Sequence, residues 1–220
     1  PSETAKALYE QIAVLPGLST GGLHVYDGHN HQSSREERKA SVMQAWDEAR
    51  HVRDELSQAG FDIPKIVAGG TGSFPILAQI EEATLELSPG TCVLQDAGYA
   101  ATFTDLSFQP AALILTRVVS KPMSGRMTLD VGNKAVAADP PMGHRLFFPD
   151  LPDAQEIMHN EEHLVLETSV AESYQPGDAL LAIPQHICPT SALHREAHVV
   201  QGGKVIDRWR VAARDRCITI

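Results

Sequence analysis

The sequence predicts an α/β segment followed by a mainly-β domain, and two textures along its 220 residues predict it. Up to residue 105, short apolar runs ending in glycine-rich turns alternate with helical stretches at a repeat of roughly 30 residues, the rhythm of βα units in a parallel sheet or barrel. Beyond that point strand-like runs follow one another and helical periodicity nearly vanishes. The length is enough for two units, each with its own core, and these are expected at 1–105 and 106–220.

The first segment, 2–15, spaces Ala5, Leu8, Ile12 and Leu15 on one helical face and stops at Pro16-Gly17. Residues 21–26 read as a short buried strand that runs into a polar turn, Asp27-Gly28-His29-Asn30-His31. A long helix is expected over 33–59, with Ser34 and Glu37 spaced as a capping box and Gly60 as its stop. Pro64 to Ala68 reads as a second strand, followed by Gly69-Gly70-Thr71-Gly72-Ser73 and a helical stretch over 74–82. Ser88-Pro89-Gly90 leads into a third strand-like unit, Thr91 to Gln95. In the second domain, strands are expected at 111–120, 126–130, 163–169, 178–183, 197–200 and 204–212.

Composition narrows the function classes. A hydrophobic fraction of 43% with 21% charged residues is ordinary for a globular protein, and no apolar run approaches the roughly 20 residues needed to span a bilayer. A formal net charge of -10 without a basic stripe argues against a nucleic-acid partner. Cys92, Cys188 and Cys217 are far apart and odd in number, a poor disulfide framework that suits a reducing cytosol, so a cytoplasmic protein is expected. The chain opens on Pro1 with no charged-then-apolar leader pattern, and a trimmed or internal start is expected.

Two motifs carry chemistry. The loop Gly69 to Ser73 follows a strand and opens a helix, where backbone N–H groups converge on an anion such as phosphate and the Thr71 and Ser73 hydroxyls can add donors. Tight turns select glycine for conformation alone, so the loop needs a second contributor. Pro89-Gly90-Thr91 is the candidate, because in a barrel the loops after successive strands meet on one face. Tyr26 ends its strand at that same mouth, with His24, His29 and His31 within eight residues. A lone tyrosine at a strand end, or His24 alone, is more often packing than chemistry, and it is the cluster of three histidines that points toward a site.

The second motif is Ile183-Pro184-Gln185-His186-Ile187-Cys188-Pro189-Thr190. In extended backbone, side chains at i and i+2 share a face, which aims His186 and Cys188 together and turns Ile187 into the core. Imidazole plus thiolate favours zinc, and two protein ligands leave positions open for water or substrate. The spacing alone also describes a buried cysteine beside a hydrogen-bonded histidine, since no complete ligand set is visible. Glu161-Glu162-His163 reads either as supporting groups or as a solvated charged turn.

Taken in order, these segments resemble the D-threonine aldolase and D-serine dehydratase family, metal-activated pyridoxal-phosphate enzymes that share the alanine-racemase type of barrel followed by a β-domain. The resemblance rests on residues 22–31 and 69–74, Leu87-Ser88-Pro89-Gly90-Thr91, Asp130-Val131-Gly132-Asn133-Lys134-Ala135, Asn160-Glu161-Glu162-His163 and residues 184–190, and it covers nearly the whole chain. It implies a partial (β/α)8 barrel of alanine-racemase type ahead of a C-terminal mainly-β domain. It sets Tyr26 against the pyridoxal ring, Gly70, Thr71, Gly72, Gly90 and Thr91 around the phosphate, and His186 and Cys188 on a divalent ion, zinc or manganese. His29, or His31, is a candidate base by position.

The activity implied is a lyase acting on D-3-hydroxy amino acids. Tyr26-Asp27-Gly28-His29 looks like the aldolase branch, which cleaves to glycine and an aldehyde, whereas cysteine as second metal ligand looks like the dehydratases. The family's lysine for the cofactor aldehyde lies on the first barrel strand, and Lys6, Lys39, Lys65, Lys121, Lys134 and Lys204 do not stand in its motif. A complete barrel takes about 250 residues, so the chain is expected to lack the early strands and to be inactive alone. Its expected partners are a D-amino acid substrate, a second copy in a homodimer and a complementary N-terminal fragment. The reading from another class is a non-catalytic binding chain that keeps the phosphate pocket.

Overall fold

Three short parallel strands, β1 (Leu23–Val25), β2 (Ile66–Ala68) and β3 (Leu85–Leu87), lie side by side in that order. The structure is a computed structural model describing residues 2–215 and 217. It divides into one unit of Pro1–Cys92 with Ala101–Ser107, which holds these strands, and another of Val93–Ala100 with Phe108–Ile220.

In the first unit, Leu23, Val25, Ile66, Ala68, Leu85 and Leu87 turn one face of the sheet onto helix α2 (Arg35–Gln58) and the four-residue helix α3 (Phe74–Leu77). Helix α2 meets them with Val42 and Trp46, one turn apart, and each fully buried aliphatic side chain in such a cluster contributes about 1.5–3 kcal/mol. The register row on the other side of the sheet is His24, Val67 and Glu86, none of them buried.

The predicted stop of α2 and one hydrogen bond of its expected capping box are present. Ser34 Oγ accepts from the Glu37 amide at 3.4 Å. At the other end Gly60 sits at φ +89, its amide bonds Ser57 O, and the Phe61 amide bonds Leu56 O, the paired hydrogen bonds of a Schellman stop. Phe61 then packs edge-on to Tyr9, whose hydroxyl donates to Asp62 O. Helix α1 (Ser2–Val14) is therefore anchored by Tyr9, at 5% exposure, while Leu8 and Leu15 of the expected apolar face remain exposed.

The third strand is Leu85–Leu87, ahead of Ser88-Pro89-Gly90, and not Thr91 to Gln95. Thr91–Val93 forms a 3-10 turn, and Gln95 at φ 53 lies in the left-handed region that no strand accommodates.

The second unit contains an antiparallel sheet with order β6-β9-β4-β5-β8-β7. Its strands are β4 (Ile114–Met123), β5 (Arg126–Leu129), β6 (Leu146–Phe147), β7 (Gln155–His159), β8 (Leu164–Glu167) and β9 (Ala179–Pro184). Alternation fixes the buried face: Met127 and Leu129, Leu164 and Leu166, Leu180 and Ala182 join Val118, Phe148 and Leu151 in one core. The sequence reading missed β6 and β7. A separate hairpin, β10 (Glu196–Gln201) and β11 (Lys204–Arg210), turns at Gly202-Gly203, both with positive φ.

No helix among the described residues is long and apolar enough to cross a membrane.

Candidate functional site

In the first unit, the residues at the C-terminal ends of the parallel strands converge as parallel pairing requires. Asp27, two residues after β1, is 7% exposed and acts as the hub: Oδ1 accepts from Ser73 Oγ at 2.9 Å and Oδ2 from Asn30 Nδ2 at 3.0 Å. Ser73 Oγ in turn accepts the Gly70 amide at 2.9 Å. The Asp27 turn and the glycine loop after β2 are thereby one piece. The next loop is tied on through Thr71, whose Oγ1 accepts the Cys92 amide at 3.1 Å, and through Ser88, whose Oγ donates to Gly69 O at 2.9 Å.

Both hydroxyls offered to an anion by the sequence, Thr71 and Ser73, are thus engaged inside the loop and 2% or less exposed. What remains open is backbone. A Cβ at Gly69 would lie 2.7 Å from Leu77, and one at Gly72 would lie 2.8 Å from the Phe103 ring, so packing alone explains these two glycines. At Gly70 the first atom met would be the Tyr26 ring at 3.5 Å, and at Gly90 nothing lies within 4 Å. These two glycines have no steric reason within the unit, and they leave bare main chain for a close ligand.

Tyr26, 66% exposed, sets its ring beside Gly70. His29 and His31 follow on the exposed side of the turn. Arg38 backs the loop from α2: at 1% exposure it donates to Gly72 O and Gln32 O, pairs with Asp105 at 2.5 Å and lies 4.6 Å over Phe103.

In the second unit, His186 and Cys188 do not share a strand face. Strand β9 ends at Pro184, His186 is the extended N-cap of helix α5 (Ile187–Leu193), and Cys188 lies in its first turn. Pro189 occupies that same turn, where its missing N–H costs nothing. Ile187 is buried at 5% as expected, and Cys188 is exposed as a free thiol.

The backbone here is held from several sides. The Gln185 amide bonds Arg145 O at 2.8 Å and Gln185 O accepts from Gly98 at 3.1 Å. Thr190 Oγ1 donates to His186 O at 2.7 Å and accepts the Ala137 amide at 3.0 Å. Asp96, fully buried, accepts the amides of Tyr99 (2.8 Å) and Ile187 (3.0 Å), and so caps α4 (Ala97–Thr102) and α5 together. Burial pushes its carboxyl up, while those amides and nearby His186 pull it back. His186 Nδ1 meets Asp139 at 2.5 Å.

Among the described residues no three His, Cys, Asp or Glu side chains gather as a metal cage, and this turn carries one imidazole, His186, and one free thiol, Cys188. That set suits a borderline-soft divalent ion with open coordination positions.

Glu161, Glu162 and His163 form an exposed turn. The Asn133 amide bonds Asn160 O, the Lys134 amide bonds Glu161 O, Lys134 Nζ pairs with both glutamates, and Gly132 passes so close that a Cβ would sit 2.0 Å from Glu161 O. Sequence reasoning missed Asp96, Asp139 and Arg38. Asp96 carried a findable signal, an Asp three residues before a bonded amide at a helix start, whereas Asp139 lies 47 residues from its histidine with no local pattern.

Residues 111–200 match the family model described as "Putative serine dehydratase domain". The chain is 34% identical over 215 residues to a D-threonine aldolase of Arthrobacter sp., covering 94% of this chain and 55% of that protein. It is 29% identical over 222 residues to the 3-hydroxy-D-aspartate aldolase of Paracoccus denitrificans, covering 97% and 55%. The crystal structure of D-threonine aldolase from Filomicrobium marinum superposes with a TM-score of 0.86 at 28% identity, covering 97% of this chain and 58% of that one. Alanine racemase from Clostridium difficile, at 10% identity and a TM-score of 0.60 over 94% of this chain and 60% of that one, shares the fold. The chain therefore spans a little over half the length of these four proteins.

Proposed function

The chain belongs to the D-threonine aldolase and D-serine dehydratase family, and from this membership we propose that the protein is a pyridoxal-phosphate- and divalent-metal-dependent lyase that cleaves D-3-hydroxy amino acids to glycine and an aldehyde. The observation that carries this reading is the exposed Tyr26 ring beside the sterically open Gly70, at the ends of adjacent parallel strands. A flat aromatic face next to bare main chain suits a planar cofactor that carries a phosphate.

When bound, pyridoxal phosphate supplies an electron sink for charge at Cα, and the divalent ion supplies a Lewis acid for the substrate hydroxyl. The residues of this chain do the rest. Gly70, Thr71 and Gly72 with Gly90 and Thr91 offer main chain to the phosphate, and Tyr26 covers the ring. His186 and Cys188 hold the ion, zinc or manganese. His29, exposed on the turn after β1, is the candidate to take the proton from the substrate hydroxyl. The lysine for the cofactor aldehyde, the rest of the barrel and a second copy of the chain are proposed as what completes the enzyme.

Two relatives are named as aldolases, which supports cleavage of the Cα–Cβ bond. Cys188 and the dehydratase-type domain over 111–200 favour a second reading, loss of the hydroxyl as water. Incubating the full-length protein with D-threonine separates them. Glycine with acetaldehyde is the expected outcome, whereas 2-oxobutanoate with ammonia establishes elimination in its place. Chelation is expected to abolish turnover and added metal to restore it.

A further inference from the structure

We infer that Asp139 is a positioning residue for His186: by taking the proton on Nδ1 as its hydrogen-bond partner, it turns Nε2, with its lone pair, toward the ion that His186 and Cys188 hold. This rests on the metal reading proposed above. The main chain around His186 is already fixed, by Arg145 O and Gly98 N–H at Gln185, by Thr190 Oγ1 at His186 O and by Asp96 at the Ile187 amide. What these bonds leave free is rotation of the imidazole and the choice of which nitrogen carries the proton. That choice is set by the partner of the other nitrogen. A carboxylate only accepts, so Nδ1, 2.5 Å from Asp139 Oδ2, must be the donor in the neutral ring, and Nε2 is left as the ligand atom.

The pair is poorly placed to serve stability. Its side chains are 40% and 53% exposed, and ion pairs in that setting contribute little to folding. Asp139 also enters from the loop after Ala137, whose amide is bound by Thr190 in the first helical turn after His186. The same loop that locks the turn therefore delivers the carboxylate to the ring.

The test uses the chain itself, in four forms: unaltered, D139A, D139N and H186A. Long-range 15N–1H NMR of the metal-free protein, at a pH where the ring is neutral, is expected to show His186 protonated on Nδ1. In D139A the ring should revert to the Nε2–H form favoured by free imidazole, and D139N, which keeps an acceptor oxygen, should restore Nδ1–H. Cobalt(II) affinity, read by competition with a chromophoric chelator, is expected to fall about 10–100-fold in D139A, with the thiolate-to-cobalt absorption of Cys188 retained and the unfolding midpoint unchanged. A D139A protein that binds cobalt as tightly as the unaltered chain overturns the inference. So does one whose visible cobalt bands change while the metal-free ring keeps its tautomer, since Asp139 would then be a ligand itself. If the unaltered chain takes up no cobalt, or H186A binds it equally well, the metal reading fails and this inference with it; uptake lost in H186A but intact in D139A sinks the inference alone.

Discussion

Gly69 and Gly72 are glycine because Leu77, Ser73 and Phe103 occupy the space a side chain would need, while Gly70 and Gly90 face no such neighbour. The two kinds should separate cleanly on substitution. Gly72→Ala pushes a methyl into the Phe103 ring and should cost about 1–3 kcal/mol of stability, read from denaturant unfolding. Gly70→Ala should leave stability nearly untouched and weaken binding of pyridoxal phosphate, measured by absorbance or fluorescence titration of the full-length protein. If Gly70→Ala binds the cofactor normally, the loop is a turn and nothing more. Arg38 supports the same loop from behind. Arg38→Met removes its donors to Gly72 O and Gln32 O and leaves Asp105 only Arg35 at 3.9 Å, so a loss of about 3 kcal/mol is expected in urea unfolding. A cost below 1 kcal/mol would mean that water replaces those contacts.

At the scale of elements, what could be read from the sequence followed the strength of the local signal. Helix α2 was legible because Ser34, Gly60 and the spacing of Val42 and Trp46 all agree on its ends and its buried face. The strands β4, β5, β8 and β9 were legible because alternation is strict where one face is buried. Three-residue β3 and two-residue β6 are too short to show a period, and Leu85-Glu86-Leu87 carries no stronger local signal than the neighbouring Thr91 to Gln95. The turn at His186 misled for a different reason: the apolar run through β9 does not announce where it stops, and a helix of seven residues with Pro189 in its first turn carries no period of its own. Strand β7 makes a testable contribution through His159, which is 6% exposed and lies 3.9 Å from Glu156. Burial holds its pKa below 6.5, so the fold keeps the ring neutral where the unfolded chain would take a proton. Stability from this group is present above pH 6.5 and is lost as pH falls below it. Unfolding midpoints at pH 7.5 and 5.5 should therefore differ more for the unaltered chain than for His159→Gln; equal differences would assign the acid sensitivity elsewhere.

Taken whole, the chain offers two candidate features of different kinds, a main-chain cradle with an aromatic face in the first unit and a turn carrying His186 and Cys188 in the second. The sequence motifs pointed to both, because glycine loops after strands and closely spaced His and Cys are local patterns. The groups that hold them in place, Arg38 with Asp105, Asp96 and Asp139, are brought in over separations of 47 to 91 residues, and only the fold shows them. The proposed activity requires that the turn at the start of α5 bind an ion through its own side chains. X-ray absorption at the zinc edge of the zinc-loaded chain tests this directly. The expected spectrum contains one sulfur at about 2.3 Å and one imidazole nitrogen at about 2.0 Å, with the sulfur shell lost in Cys188→Ser. A first shell of oxygen and nitrogen alone, or one unchanged by both Cys188→Ser and His186→Ala, would contradict it.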